Sequence, residues 1–285
     1  MTRTRMLTLA APVALACAVC SGDEPVTADA VEQALTEYVH AKYAGDAEGV
    51  RERTHHAISR YTLEDTYFGR PSDDWLRRHS WDVLRYYGTD RNEARTSDPE
   101  GARCEIEVYD VARWSATAKF VSEDAVDLVH LVLFDGVWKV VDSAVTVLDE
   151  NGAEPPAENE SERDAVRQVV EDYCRGFYEV DGDKVQGTCH PGLSKREMRT
   201  AAPADGGFSF MRSITYEEIV LLGDRYNARG NINAETAPVE IEVYYVDGEM
   251  AAAKLTAAGW FDYFHLFKVE GRWKIANIIF EPLGG

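Results

Sequence analysis

The sequence has 285 residues, a formal net charge of −20 and a hydrophobic fraction of 45%. That apolar fraction is enough to build folded cores, so it excludes a chain that is disordered throughout. The negative charge argues against nucleic acids and anionic membranes as partners, because both bind basic surfaces.

The chain begins with the pattern of a signal peptide, predicted over residues 1–20. Arg3 and Arg5 precede a short apolar run, and small residues with two cysteines follow. Cys17 and Cys20 are the candidates for lipid attachment. We therefore expect an extracytoplasmic protein, in the periplasm or on the cell surface, that touches a membrane only through a lipid anchor. Plain secretion and a cytoplasmic location are the alternatives.

Helical patterns open two stretches of the chain. Apolar residues recur at three- and four-residue spacing over 31–43 and again over 166–178. A start signal for the second of these helices is Ser161, with an acidic residue three positions later. A short turn and a second helix follow in each stretch.

In the second stretch, the second helix is expected to end at His190-Pro191, because proline disfavours helical geometry in the residue before it. A third helix is predicted to start at Thr215, with Glu218 as its capping-box partner. Strands then follow.

Four apolar segments near the C-terminus predict an antiparallel meander. They are 239–246, 251–257, 262–269 and 273–280, and the last two flank the turn pair Glu270-Gly271. Strict alternation places Asp262 on one face of this hairpin together with Asn277, and His265 on the other face.

The hairpin occurs twice. The segment from Asp127 to Val140 carries Asp, His, Leu, Gly, Trp and Lys at the same positions as the segment from Asp262 to Ile275, at an offset of 135 residues (262 minus 127). The same offset relates residues 29–150 to residues 164–285 without a gap. Whole domains have therefore been duplicated.

This order of elements resembles the nuclear transport factor 2-like superfamily, and within it the bacterial branch described as putative lumazine-binding. The residues that carry the resemblance are Tyr173, Tyr178, Asp183, His190-Pro191, Asp262, His265, Leu266, Gly271 and Trp273. The resemblance implies cone-shaped domains with a pocket at the wide end, which often pair through their sheets. Two copies on one chain would then form an internal pseudo-dimer.

The predicted fold class is α+β, with two tandem cone-shaped domains that each pack N-terminal helices on a strongly curved antiparallel sheet. The predicted domains are residues 27–149 and 163–284, and an acidic linker, 150–162, joins them.

The strongest catalytic candidate is Asp262, which has aromatic neighbours. Such a carboxylate can act as a general base, as an aspartate does in ketosteroid isomerase, a superfamily relative, and Tyr178 or His190 would assist it. The alternative is a structural role, in which Asp262 accepts hydrogen bonds that hold the curve of the sheet. The repetition of this aspartate as Asp127 favours the structural role.

Each domain has one histidine in its hairpin, His130 and His265. Neither has a second ligand at metal-binding spacing on its strand, so no metal site and no cofactor are predicted. We expect these histidines to be buried and hydrogen-bonded, or to lie where the two domains meet. Adjacent side chains diverge on a helix, so His55 and His56 are not expected to bind a metal together.

The expected pockets of the two cones provide a set of candidate ligand contacts. They are Tyr173, Tyr178, Trp260, Asp262 and Phe264 in the second copy and Tyr38, Tyr43 and Asp127 in the first.

A disulfide is predicted between Cys174 and Cys189. Antiparallel helices joined near residue 181 would bring these two positions within reach, and an oxidising compartment favours the bond. Two buried free thiols are the alternative.

The predicted function is non-catalytic binding of a small apolar or aromatic ligand, or of a protein partner. One alternative is an isomerase, dehydratase or cyclase with Asp262 as its base, and another is a structural envelope protein that docks through a sheet face. A hydrogen bond between Asp262 and a second polar side chain at the bottom of an open pocket would favour the enzyme.

Overall fold

The structure is a computed structural model that describes residues 25–67, 70–80, 98–148, 156–200 and 209–283. Within these stretches, twelve strands form two six-stranded sheets, each with its own helices. The chain is therefore α+β with two tandem domains, as predicted from the sequence.

The predicted signal peptide, including Cys17 and Cys20, lies outside the described residues. In the part of the chain that the structure describes, every helix falls short of the length and apolarity that a membrane crossing requires.

The first domain starts with two helices, and α1 has a cap at each end. Thr27 accepts a hydrogen bond from the backbone of Ala30 at its start, and Gly45 ends it with a left-handed φ of 69°. The elements of the domain are α1 (Ala28–Ala44), α2 (Ala47–Glu52), β1 (Thr54–Tyr67), β2 (Arg70–His79), β3 (Glu105–Val111), β4 (Ser115–Val121), β5 (Ala125–Phe134) and β6 (Val137–Val147).

The second domain repeats this order and has a third described helix. Its elements are α3 (Arg163–Glu179), α4 (Gly182–Thr188), β7 (Cys189–Thr200), β8 (Ser209–Ile214), α5 (Tyr216–Gly223), β9 (Val239–Val246), β10 (Met250–Ala257), β11 (Trp260–Val269) and β12 (Arg272–Pro282). The capping box predicted for α5 is present, because the Thr215 hydroxyl accepts from Glu218 and the Glu218 carboxylate accepts from Thr215.

Both sheets have the same strand order, β2-β1-β6-β5-β4-β3 in the first domain and β8-β7-β12-β11-β10-β9 in the second. The pairs β1–β6 and β7–β12 are parallel, whereas the other pairs are antiparallel. The repeated hairpin therefore occupies the middle of each sheet, where both of its strands have neighbours.

The structure corrects the prediction for the end of α4. This helix stops at Thr188, and Cys189 already has extended backbone, with φ −94° and ψ 146°. His190 and Pro191 therefore lie in β7 and do not end a helix. The start signal at Ser161 is also wrong, because its hydroxyl bonds the Asn159 side chain at 2.6 Å and no side chain caps α3.

The sequence prediction missed the first two strands of each sheet, β1 and β2 and their repeats β7 and β8. Four of the six residues of β7 from Ser194 to Arg199 are charged, and most of them are buried. A strand with buried charges on both faces lacks the apolar alternation by which strands are recognised.

The predicted hairpin turns are present in both domains. The residues Glu270 and Gly271 have φ values of 50° and 71°, and Asp135 and Gly136 have 51° and 77°. Both residues of a tight turn of this kind need positive φ, which glycine adopts without strain.

A bulge in β12 changes which residues share a face. Leu266 pairs with Ile275, whereas the preceding residue His265 pairs with Asn277. Residue 276 of β12 therefore has no pairing partner on β11. Asn277 therefore lies on the His265 face, whereas strict alternation placed it beside Asp262.

Each domain has its own hydrophobic core between its helices and its sheet. Two further clusters contain residues of both domains. One joins Leu128 to Phe267, and the other joins Val132 to Tyr263. The domains are therefore separate units that pack on each other through their sheets.

Equivalent residues of the two domains meet at this contact. Tyr109 stacks on Tyr244, with ring centroids 5.1 Å apart and planes 6° apart, and His130 stacks on His265 at 3.6 Å and 18°. The members of each pair are 135 residues apart, so they occupy the same position in each repeat. Such self-pairing marks a local two-fold axis.

Contacts away from this axis are reciprocal. The Tyr61 hydroxyl donates to the carbonyl of Gly192, and the repeat-equivalent side chain Arg196 donates to the carbonyl of Ala57, which is equivalent to Gly192. A surface that pairs with its own copy in this way is an isologous interface. The two domains therefore form an internal pseudo-dimer.

Candidate functional site

The second domain contains an open cavity of about 570 Å³ between its helices and its sheet. We call it the second-domain cavity. Its volume lies within the range of sites for small molecules. The wall is mainly aromatic and aliphatic, and includes Tyr173, Phe177, Ile219, Tyr226, Trp260 and Phe280.

A buried triad of Tyr173, Lys195 and Asp262 lies at the floor of this cavity. The Lys195 ammonium donates to both oxygens of Asp262, at 2.8 and 2.9 Å, and to the Tyr173 hydroxyl at 2.9 Å. Burial raises the pKa of the Asp262 carboxyl, whereas the nearby ammonium lowers it. Burial also raises the pKa of the Tyr173 hydroxyl. All three N–H groups of the ammonium are thus used within the triad.

The first domain repeats this triad as Tyr38, Arg60 and Asp127. Arg60 Nη1 lies 3.1 Å from Asp127 Oδ1, and the guanidinium also hydrogen-bonds Tyr38. Each residue lies 135 positions before its counterpart. In both domains the cation joins the first helix to the central strand of the sheet, so the repeated aspartate has a structural partner in each copy.

The mouth of the second-domain cavity carries three charged residues on β7 and β8. The Glu197 carboxylate is buried, and Arg199 Nη2 lies 2.8 Å from its Oε1. Arg212 Nη1 lies 3.8 Å from the other oxygen, Oε2. The two guanidinium groups therefore share one carboxylate.

The residues predicted to assist Asp262 do not contact it. The Tyr178 hydroxyl donates to the carbonyl of Pro238 at 2.9 Å and accepts from the backbone of Ala258 at 2.8 Å. His190 Nδ1 accepts a hydrogen bond from the backbone of Gly192 at 2.9 Å, at the start of β7. Asp262 instead pairs with Lys195, which the sequence prediction did not include.

Of the other ligand candidates in the second domain, Tyr173 and Trp260 line the cavity. Phe264 is buried behind them and packs edge-on against Tyr173, with centroids 5.4 Å apart. Tyr178 packs in the same way against Trp260, at 5.8 Å. Phe264 and Tyr178 therefore support the wall from the core side.

In the first domain, Tyr38 and Asp127 belong to the repeated triad. The Tyr43 hydroxyl bonds Asp124 at 2.5 Å, and Lys42 lies 2.8 Å from the same carboxylate. Lys42 is the repeat equivalent of Phe177, so a polar cluster stands where the second domain has an aromatic wall. At this position the apolar lining is found only in the second copy.

His130 and His265 lie at the contact between domains, one of the two places predicted for them. Both are fully buried, and burial lowers the pKa of each ring well below its usual value. His265 Nδ1 lies 3.3 Å from Asn277 Oδ1, and His130 Nδ1 lies 3.6 Å from Asp142 Oδ2. The described residues contain no group of three metal-ligating side chains.

The predicted disulfide between Cys174 and Cys189 is wrong, because both cysteines are free and buried. The prediction placed Cys189 in the second helix, but it is the first residue of β7, and its sulfur lies 3.7 Å from the Thr188 hydroxyl. Burial raises the pKa of both thiols to about 12. Buried neutral thiols of this kind are unreactive.

Lys195 is the residue of this candidate site that sequence reasoning missed. A comparison of the two repeats could have found it. In each repeat a serine is followed by a cationic residue, Ser59-Arg60 in the first and Ser194-Lys195 in the second, and the two pairs are 135 residues apart. A repeated cation in a buried strand needs a counter-ion, and the repeated aspartates were already candidates.

Comparison with known proteins gives a match for each half of the chain. The model of the family described as "Putative lumazine-binding" matches residues 27–144 and again 161–281. No curated protein sequence matches the chain.

Several solved structures are similar to single domains of the chain. An NTF2-like protein of unknown function from Shewanella baltica has a TM-score of 0.36 and 15% identity, over 45% of this chain and 99% of its own. One from Silicibacter pomeroyi has a TM-score of 0.32 and 17% identity, over 42% and 94%. An NTF2-like protein with a cystatin-like fold from Novosphingobium aromaticivorans has a TM-score of 0.32 and 12% identity, over 44% and 84%.

Proposed function

This chain belongs to the family described as putative lumazine-binding, and from that membership we propose that it binds a small apolar or aromatic molecule without transforming it. The binding site is the second-domain cavity. The observation that carries the proposal is an open, aromatic-walled cavity of about 570 Å³ over a floor whose charges neutralise each other. A flat or apolar molecule gains from contact with such a wall.

The burial of Asp262 and its hydrogen bonds to Lys195 support binding over catalysis. A general base needs a carboxylate oxygen within hydrogen-bond reach of the substrate. Asp262 is fully buried, and Lys195 occupies both of its oxygens. A molecule in the cavity meets Tyr173 and Lys195, which line it, before it meets the carboxylate.

The catalytic alternative has one specific observation in its favour. Asp262 hydrogen-bonds a polar side chain, Lys195, at the bottom of an open cavity. An isomerase or dehydratase would require Lys195 to leave at least one carboxylate oxygen. Turnover of a bound compound that disappears in Asp262→Asn would favour the enzyme over the binding protein. The third alternative, docking of a protein on a sheet face, lacks such support because the sheets pack on each other.

A bulky residue at the mouth provides the test. Leu222 lines the cavity and is 38% exposed, so tryptophan can be placed there with little cost to the core. We expect lumazine, riboflavin or a sterol to raise the melting temperature of the wild type, and Leu222→Trp to abolish the shift. The measurement is a thermal-shift screen of these compounds, followed by calorimetric titration.

Leu221→Trp is the matched control. This neighbouring residue on α5 is 47% exposed and is not among the residues that line the cavity, so binding should persist. Equal loss of binding in both variants, or no shift with any compound in the wild type, would contradict the proposal.

We further propose that the protein is extracytoplasmic and carries a lipid. The support is the sequence alone, with Arg3 and Arg5 before an apolar run that ends close to Cys17 and Cys20. When the full chain is expressed in a bacterium fed an alkyne fatty acid, we expect labelling that one of Cys17→Ser and Cys20→Ser removes. Labelling that persists in the double variant, or is absent from the wild type, would contradict the lipid anchor.

A further inference from the structure

Resting on the proposed function, we infer that the ligand of the second-domain cavity carries an anionic oxygen group. Arg199 and Arg212 hold this group at the mouth, and the apolar part of the ligand fills the interior. The ligand class is thus an amphipathic acid with a flat or apolar body. Four features of the cavity lead to this assignment.

The first feature is a polar stripe along one wall. On β7, alternate residues face the same side, so Lys195, Glu197 and Arg199 form a line from the floor to the mouth. Arg212 on β8 lies directly opposite Glu197 in the antiparallel register. All four residues line the cavity, and the side chains of both arginines are about half exposed, 49% for Arg199 and 47% for Arg212.

The second feature is the balance of charge. Lys195 is neutralised by Asp262 beneath it. Arg199 and Arg212 share the single carboxylate of Glu197. Among the described residues that line the cavity, the mouth therefore keeps an excess of one positive charge, on a chain whose formal net charge is −20. An isolated excess of positive charge at the edge of a cavity attracts an anion.

The third feature is the geometry of the two guanidinium groups. Each has five N–H donors arranged as a planar fork, which suits the oxygens of a carboxylate or a similar group. Arg199 approaches Glu197 within hydrogen-bond distance at 2.8 Å, but Arg212 stays 3.8 Å away. An anionic oxygen of a ligand that lies between the two arginines would accept hydrogen bonds from both guanidinium groups.

The fourth feature is an aromatic part of the cavity wall, which includes Phe177, Tyr226 and Trp260. Tyr226 packs edge-on against Phe177 at 5.9 Å and against Trp260 at 5.1 Å. Tyr226 is 45% exposed although it is a large side chain. An apolar ligand body would cover this surface, which faces the cavity.

The first repeat keeps only part of this set in its sequence, because the position equivalent to Arg212 is also an arginine, Arg77. The positions equivalent to Glu197 and Arg199 are Thr62 and Glu64, so the charge of the second position is reversed. Glu197 and Arg199 are therefore specific to the second copy, whereas an arginine at the Arg212 position is common to both repeats.

Two fluorescent probes that differ by one charged group provide the test. The compound 8-anilinonaphthalene-1-sulfonate is anionic, and N-phenyl-1-naphthylamine has the same rings without the sulfonate. We expect the sulfonate to bind the full chain at least about tenfold more tightly, because hydrogen bonds to charged groups are the stronger ones. The measurement is a fluorescence titration of each probe at low salt.

Substitution of each arginine tests whether these two residues cause the preference for the sulfonate probe. Arg199→Gln and Arg212→Gln should each weaken binding of the sulfonate about tenfold and leave binding of the neutral probe unchanged. Arg272→Gln is the matched control, because Arg272 is exposed at the turn between β11 and β12 and its removal changes the net charge equally. It should change neither titration.

The outcomes separate the two proposals. Equal affinity for both probes, with both lost in Leu222→Trp, would overturn the acidic ligand and leave the proposed function standing. Binding of both probes that Leu222→Trp does not affect would overturn the proposed function itself. A sulfonate preference that survives both arginine variants would also overturn the assignment of Arg199 and Arg212.

Discussion

Replacement of Asp262 by alanine is expected to lower the free energy of unfolding by roughly 3–5 kcal/mol, because removal of one partner of a buried ion pair leaves the other charge uncompensated. The remaining charge is on Lys195, a residue that is 6% exposed, and its ammonium would keep the Tyr173 hydroxyl as an acceptor. The measurement is urea denaturation of the wild type and the variant at neutral pH.

A paired substitution separates the charge from the packing. The double variant Lys195→Met/Asp262→Leu removes both charges and keeps similar volumes, so it should recover most of the loss. A double-mutant cycle then measures the coupling between the two residues. If Asp262→Ala unfolds at the same urea concentration as the wild type, the buried triad does not stabilise the second domain.

Asp127→Ala in the first domain is the matched comparison. Its partner Arg60 has a side chain that is 16% exposed, whereas the side chain of Lys195 is 7% exposed. Loss of its counter-ion destabilises a solvent-exposed cation less than a buried one, because water solvates the exposed charge. We therefore expect a smaller loss of stability from Asp127→Ala than from Asp262→Ala.

The His130–His265 stack is expected to make the protein sensitive to acid. Burial lowers the folded-state pKa of both rings, and in His265 the charge of His130 adds to the effect. Below about pH 6.5, the unfolded chain therefore binds protons that the native rings do not bind. As the pH falls below about 6.5, stability falls by up to about 1.4 kcal/mol per pH unit for each ring, so the two rings together lower it by at most about 4 kcal/mol between pH 7.5 and 5.

Charged neighbours from other strands modify this effect. Arg196 on β7 lowers the pKa of His130 further. Burial raises the pKa of Asp142, on β6, to about 6, against the opposite effect of Arg196. The native state therefore binds a proton at Asp142 before the unfolded state does, and this uptake partly offsets the histidines between about pH 6 and 4.

A comparison of variants isolates the histidines. His130→Phe/His265→Phe keeps two stacked rings without their titration, so the stability lost between pH 7.5 and 5 should be smaller than in the wild type, by at most about 4 kcal/mol. The measurement is urea denaturation at each pH. Tyr109→Phe/Tyr244→Phe, the other stacked pair on the two-fold axis, should keep the pH dependence of the wild type. Equal pH dependence in the wild type and the histidine variant would contradict the role of the stack.

Much of the fold could be predicted because its signals are local or repeated. The β11–β12 hairpin is visible from its apolar segments and from Glu270-Gly271, whose positive φ values the structure confirms. The α5 cap is visible at Thr215 because a capping box needs only four consecutive residues. The duplication is visible because its offset does not change along the chain.

Other features were hidden because they depend on contacts between distant residues. The strand β7 looks polar, since Lys195 and Arg196 carry charges whose partners, Asp262 and Asp142, lie elsewhere in the fold. The disulfide prediction failed because a one-residue change, from helix to strand at Cys189, redirects the side chain. The face of Asn277 changed because a single bulge reverses the alternation.

The sequence by itself determined that two copies of one α+β domain follow each other and that Asp127 and Asp262 are equivalent. It also determined which residues would meet if the copies paired about a two-fold axis, because equivalent positions such as His130 and His265 are then adjacent. Only the tertiary structure decided that Asp262 is held by Lys195, 67 residues away, and that an open cavity lies above them. The reason is physical, since residue spacing governs local hydrogen bonds, whereas closure of the curved sheet on its helices decides which distant charges share a buried site.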